Sequence, residues 1–211
     1  MNAVDFASLL CSRLCHDLLS PVGALNNGIE LLADETDPEM RQRCVDLLGE
    51  SARVSANKLK FYRLAFGAAG GFADQIDPRE AHSAIEGLFG GDGKIQLGWM
   101  VTQSALSKTA IKVLMNLALI AGDALVRGGR LDVGAEAQGN ITEIAIRAEG
   151  PRLAVDPEIA ATFNGEVDEA ALTPLAAAAW LARSLALENG GSVQFSIDDN
   201  VLLFGATLVG R

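Results

Sequence analysis

The sequence predicts a mixed fold: a long antiparallel helical hairpin followed by an α/β sandwich. Three observations predict it. Residues 5–33 and 38–68 carry apolar side chains at helical spacing and are separated only by the acidic turn Asp34-Glu35-Thr36-Asp37. Gly67, Gly70 and Gly71 then break the pattern, with alanines between them. Beyond the glycines, helical and alternating stretches follow one another between Pro and Gly residues, an order that lays helices over one side of a single sheet. The chain therefore divides into a helical unit, residues 1–71, and an α/β unit, residues 72–211.

The first helix is read from about Asp5 to Ala33, with Leu14, Leu18, Leu25, Ile29 and Leu32 on a shared apolar face. Asp37 followed by Pro38 is a helix start, an acidic cap with proline at the first helical position. The second helix runs to about Ala68, with Val45, Leu48, Ala52, Leu59 and Phe66 on its apolar side. At about 30 residues each helix spans roughly 45 Å, and the short turn makes the two antiparallel neighbours. A two-helix hairpin does not bury two such faces alone, so a second copy completing a four-helix bundle, a homodimer, is expected. Packing of the hairpin on the rest of its own chain is the alternative.

In the second unit, residues 73–77 suit a short strand, and Pro78 opens a helix ending near Phe89. After the turn Gly90-Gly91-Asp92-Gly93, Lys94 to Met100 alternates like a strand. Ser107 caps a long helix to about Arg127, which Gly128-Gly129 ends. Strands over 130–137 and 141–148 meet at Gly139-Asn140. A short helix lies near 157–163, and Pro174 opens another that Asn189-Gly190-Gly191 stops at about Glu188. A hairpin of strands 192–197 and 201–209 closes the chain.

With 211 residues and 49% apolar side chains, the chain is large enough for one sizeable domain or two small ones. Its net charge of −10 argues against nucleic acid, whose phosphates select basic surfaces. No basic leader precedes an apolar segment and no apolar run reaches the ~20 residues that cross a bilayer, so a cytoplasmic location without membrane contact is expected. Cys11, Cys15 and Cys44, an odd number, are expected to be reduced thiols. Cys11 and Cys15 lie one turn apart, but His16 points about 100° from Cys15, so no metal site is assigned.

The chemistry gathers at Cys15-His16-Asp17-Leu18-Leu19-Ser20-Pro21. His16 lies off the apolar face. Steps of three or four from it reach Ser12, Arg13, Ser20, Gly23 and Asn27, a polar face of mostly small side chains against which a flat partner fits. Pro21 removes the helical hydrogen bond to the carbonyl of Asp17, at a cost of roughly 3 kcal/mol in an ordinary helix interior. A break between two short helices is the plainer explanation of this proline; a functional site beside the histidine is the other.

His16-Asp17-Leu18-Leu19-Ser20-Pro21 resembles the H-box of the dimerisation and phosphotransfer domain of sensor histidine kinases, in which the histidine accepts a phosphoryl group. The element order after the hairpin is similar to the Bergerat-type ATP-binding sandwich of those kinases, so the resemblance covers nearly the whole chain. Its nucleotide boxes are degenerate. Asn116-Leu117 resembles the start of the N-box, but Ile120 stands where a second asparagine would hold magnesium. Ala148 stands where an aspartate would accept the adenine amino group, and Arg152 replaces a glycine of the following turn. Ala176 and Ala178 fall in place of the glycines that bring backbone amides to phosphate.

An accepting histidine on a scaffold without a working nucleotide site is similar to the histidine phosphotransferases of the ChpT type, dimeric pseudo-kinases of phosphorelays. That resemblance implies that His16 takes a phosphoryl group from the receiver domain of a hybrid histidine kinase and passes it to receiver domains of response regulators. It implies no cofactor of the chain's own, with Mg2+ supplied by the receiver. Asp17 is assigned to orient His16. Ser12, Arg13, Ser20, Pro21, Gly23, Ala24 and Asn27 are candidate docking positions, and Arg41, Arg43, Arg53 and Lys58 are candidates for steering an acidic receiver. His82, with no motif around it, is taken as structural or merely exposed. Two other readings stay open: an ATP-dependent histidine kinase core, and a dimeric signalling adaptor without phosphotransfer.

Overall fold

The computed structural model describes residues 1–67, 74–91 and 93–210. Two antiparallel helices, α1 (Ala3–Asp34) and α2 (Pro38–Ala65), form the expected hairpin. Asn2, which the sequence reading passed over, caps α1 by accepting from the amides of Val4 and Asp5. Asp37 caps α2 in the same way, with Pro38 in the first turn. The helix is unbroken at Pro21, so two short helices are not formed. Gly28 of α1 is buried, and a Cβ there would sit 2.8 Å from Leu48 Cδ2, so the Leu48 side chain of α2 lies directly on the α1 backbone at this point.

The second unit follows as β1 (Gln75–Ile76), α3 (Pro78–Phe89), β2 (Ile95–Val101), β3 (Leu106–Ser107), α4 (Lys108–Ala124), β4 (Gly129–Gln138), β5 (Ile141–Glu149), α5 (Pro157–Asn164), α6 (Ala177–Glu188), β6 (Ser192–Asp198) and β7 (Val201–Val209). The main sheet has the order β2-β4-β5-β7-β6, with β2 parallel to β4 and the other pairs antiparallel. Along β4, β5 and β7 every second residue is buried: Leu131, Val133, Ala135; Ile144, Ile146, Ala148; Leu202, Phe204, Ala206, Leu208. That face meets α4 and α6, giving helices over one side of a sheet as expected. β1, inside the stretch 73–77 expected as a short strand, pairs antiparallel with β3, two residues each; β3 is too short to show as a periodic signal.

Three boundaries differ by three residues from those the sequence predicts. α2 ends at Ala65, because Phe66 and Gly67 both turn their amides back to the Tyr62 carbonyl. α4 ends at Ala124, because Leu125 leaves helical geometry with ψ of 58° and turns its amide to the Gly122 carbonyl; Gly128 and Gly129 follow with φ of 78° and 146°. α6 begins at Ala177, three residues after Pro174. The expected division at residues 71 and 72, together with Gly70, Gly71 and Ala73, lies outside the described residues.

The hydrophobic core runs across both units. Phe61, Tyr62, Leu64 and Ala65 of α2 are buried in one cluster with α3, α4 and the sheet. At the other end Phe6 of α1 packs on Trp180 of α6, ring centroids 4.5 Å apart, and the Met1 ammonium pairs with Glu169. The hairpin thus packs on its own chain at both ends of α1's first half, the arrangement weighed above as an alternative to a second copy. It does so without covering a second apolar stripe: Val22 and Ile29 of α1 and Val45 and Leu59 of α2 remain 44–58% exposed. Ile29 therefore leaves the face it was expected to share with Leu14, Leu18, Leu25 and Leu32, which are half-buried.

Candidate functional site

His16 stands out from the hairpin with its side chain 85% exposed. Its Nδ1 lies 3.1 Å from Oδ1 of Asp17. A carboxylate accepts, so Nδ1 carries the proton in this contact, and in the neutral ring the lone pair then lies on Nε2. No protein group in the described residues bonds Nε2.

Asp17 is fixed from below. Its side chain is only 14% exposed. Arg13 Nε donates to Oδ2 at 2.7 Å, one helical turn earlier. The Tyr62 hydroxyl of α2 donates to the same oxygen. Burial pushes the Asp17 carboxyl up, but the hydrogen bonds from Tyr62 and Arg13 outweigh it and hold the group below the usual carboxylate range. Burial, and then Asp17 beside it, push the Tyr62 phenol above its ordinary value, so it stays a donor. Burial works against the charge of Arg13, yet Asp123 and Asp17 more than offset it.

Arg13 also reaches the second unit, donating from Nη2 to Asp123 Oδ2 of α4 at 2.8 Å. Lys58 Nζ donates to the backbone carbonyl of Asp17 at 2.7 Å. This is the carbonyl that Pro21 leaves without its helical partner, so α2 supplies from across the hairpin the donor that α1 lacks.

Of the residues expected around His16, Ser12, Ser20 and Asn27 are exposed, and Gly23 and Ala24 are half-buried. Two are placed otherwise. Pro21 is buried against the hairpin and presents no surface for docking. Arg13 is committed to Asp17 and Asp123, so it is a fixed part of the site and not a free docking cation. The four steering candidates are also engaged: Arg41 donates to the carbonyls of Leu32 and Glu35 at the hairpin turn, Arg43 pairs with Glu39, Arg53 with Glu50, and Lys58 holds Asp17. His82 packs on Trp99, ring centroids 4.9 Å apart.

Sequence reasoning missed Tyr62 and Asp123. Tyr62 is the single tyrosine of the chain, and Asp123 is the one acid in α4. Those are signals of singularity, but the partner of each lies on another element.

The region matching the nucleotide boxes holds a cavity of about 310 Å³, lined by Arg13, Leu119, Ile120, Asp123, Ala124, Asp156 and Ile159 among others. Ile120, Ala148, Ala176 and Ala178 are all buried. Asn116 turns away from this cavity; its Nδ2 donates to the carbonyls of Ala65 in α2 and Lys112 in α4.

A helical hairpin that displays a histidine, joined to a sheet covered by helices on one side, is the arrangement expected above of a histidine phosphotransferase. Comparison with known proteins narrows it. The model of the histidine phosphotransferase C-terminal domain family matches residues 78–201. The protein phosphotransferase ChpT of Brucella abortus (strain 2308) is 34% identical over 206 residues, 98% of this chain and 97% of that protein. A solved structure of a bacterial phosphotransferase superposes with a TM-score of 0.86 at 32% identity, covering 98% of this chain and 97% of the other. This chain belongs to the ChpT-type histidine phosphotransferases, a family of two-component signalling. Among the described residues, no helix is long and apolar enough to cross a membrane.

Proposed function

We propose that the chain relays a phosphoryl group between receiver domains through His16. A receiver of a hybrid histidine kinase, carrying an aspartyl phosphate, docks on the hairpin over Ser12, Ser20, Gly23, Ala24 and Asn27. The Nε2 lone pair attacks phosphorus. The N–P bond forms as the P–O bond to the receiver's aspartate breaks, and that aspartate leaves as a carboxylate. The imidazole gains positive character, which Asp17 stabilises through Nδ1–H. A response regulator then takes the group by the reverse sequence. Phosphoryl transfer asks mainly for positioning and charge neutralisation, and the receiver brings its own Mg2+ and acidic pocket. No cofactor is assigned to this chain, and two copies pair through their hairpins.

One observation carries this reading: a histidine 85% exposed, with Nδ1 occupied by a buried carboxylate and Nε2 open. Buried apolar residues at Ile120, Ala148, Ala176 and Ala178 support the further reading that ATP is not the donor. The test is to mix the purified chain with a receiver domain bearing labelled aspartyl phosphate. Acid-labile label is expected on the wild type, with none on His16→Gln and none from labelled ATP alone. Label on His16→Gln, or self-labelling from ATP without a receiver, overturns the proposal.

A further inference from the structure

We infer that Tyr62 and Asp123 are positioning residues for His16, acting through Arg13 and Asp17, so that the second unit contributes to phosphoryl transfer by aiming one carboxylate. The inference rests on the relay reading above.

Two donors, Tyr62 OH and Arg13 Nε, converge on Oδ2 of Asp17. With Oδ2 occupied, the carboxylate is locked in rotation and Oδ1 faces the imidazole 3.1 Å away. Neither donor is free to drift. Tyr62 is 3% exposed, stacked on Phe66 at 5.1 Å and edge-on to Phe61 at 5.8 Å. Arg13 is held at its far end by Asp123 of α4, and both side chains line the cavity of the degenerate nucleotide region.

The electrostatics follow the geometry. Burial pushes the Asp123 carboxyl up against the pull of Arg13, and Lys58 adds a second cation at the Asp17 carbonyl. What reaches the imidazole is therefore one aimed carboxylate oxygen, Oδ1, with the donors held on Oδ2. That favours the Nδ1–H tautomer, leaves Nε2 nucleophilic, and stabilises the positive charge that develops when Nε2 bonds phosphorus. Tyr62, remaining protonated, adds a donor without adding charge.

The test uses the full chain with ¹⁵N-labelled histidine. The chain has two histidines, and the spectrum of His16→Gln assigns the other. The variants are Tyr62→Phe, which removes one hydroxyl, Asp123→Asn, which weakens the hold on Arg13, and Asp123→Glu as the conservative control. In the wild type the ring shifts should report the Nδ1–H tautomer at His16. Tyr62→Phe and Asp123→Asn should move the population toward Nε2–H. At saturating phosphorylated receiver, both should slow transfer roughly tenfold, with the half-saturating receiver concentration unchanged. Asp123→Glu should recover both readouts. An unchanged tautomer in folded Tyr62→Phe and Asp123→Asn overturns the inference, as does a loss confined to half-saturation, which would mark a docking role. If the wild type takes no phosphoryl group, the relay reading fails, while the tautomer readout still decides whether these residues position His16.

Discussion

At the scale of the residue, the site is a single carboxylate placed between two environments. Oδ1 of Asp17 faces an exposed imidazole, and Oδ2 faces buried donors. Because Tyr62 is the single tyrosine of the chain, its ionisation can be followed directly by tyrosinate absorbance. The folded state raises the Tyr62 phenol above its ordinary value of 10.0, through burial first and the adjacent Asp17 second. The folded protein therefore binds the proton more tightly than the unfolded chain. The associated stability is fully present below pH 10 and is lost as pH rises above it. The expected result is no tyrosinate signal in the folded protein at pH 10, with ionisation appearing at higher pH together with loss of near-ultraviolet circular dichroism. In Tyr62→Phe the stability should fall less steeply across that alkaline window. Titration of the folded wild type at the ordinary value would contradict the hydrogen bond to Asp17.

At the scale of the element, the instructive feature is how α1 tolerates Pro21. The sequence shows the defect plainly, a carbonyl at Asp17 without its helical donor. It does not show the remedy, because Lys58 comes from the facing helix, and a long flexible amine leaves no periodic trace. The same holds for Tyr62 and Asp17. Signals written along one helix were legible: the H-box-like run at His16, the Asp37-Pro38 cap, the apolar stripes. Contacts made between helices were not, and they moved Arg13 and Pro21 from docking surface to interior. The Lys58 bond is testable by a double-mutant cycle. Lys58→Met keeps the stem and removes the donor, and should cost about 1–2 kcal/mol in denaturant unfolding. Pro21→Ala restores an amide to the Asp17 carbonyl. In that background Lys58→Met should cost close to nothing, whatever Pro21→Ala loses in packing by itself. Equal costs in both backgrounds would mean that Lys58 stabilises the hairpin by some other route.

At the scale of the whole molecule, the question is what covers the hairpin's remaining apolar stripe. Along α1, Cys11, Cys15, Leu18, Val22 and Ile29 follow at steps of three, four or seven. Along α2, Val45, Ala52, Ala56 and Leu59 do the same. All are exposed except the half-buried Leu18. The sequence predicted helices with apolar faces but merged two of them into one. Only the packing separates the face that joins α1 to α2 from the face left open, since the angular difference is within what helical spacing resolves. The open face has the pattern of a bundle seam. The expected occupant is the same face of a second copy, and a two-fold axis would present each substitution twice. Ile29→Glu or Leu59→Glu then buries an unpaired carboxylate in each copy, at about 3–5 kcal/mol apiece. That far exceeds what a dimer of ordinary affinity tolerates. Light scattering after size exclusion should give twice the chain mass for the wild type and the chain mass for either variant. Far-ultraviolet circular dichroism should be unchanged, because the core joining α2 to α3, α4 and the sheet lies elsewhere. Unfolding of the wild type should depend on protein concentration, and that dependence should vanish in the variants. A monomeric wild type, or dimers that survive both substitutions, would assign the stripe to another partner.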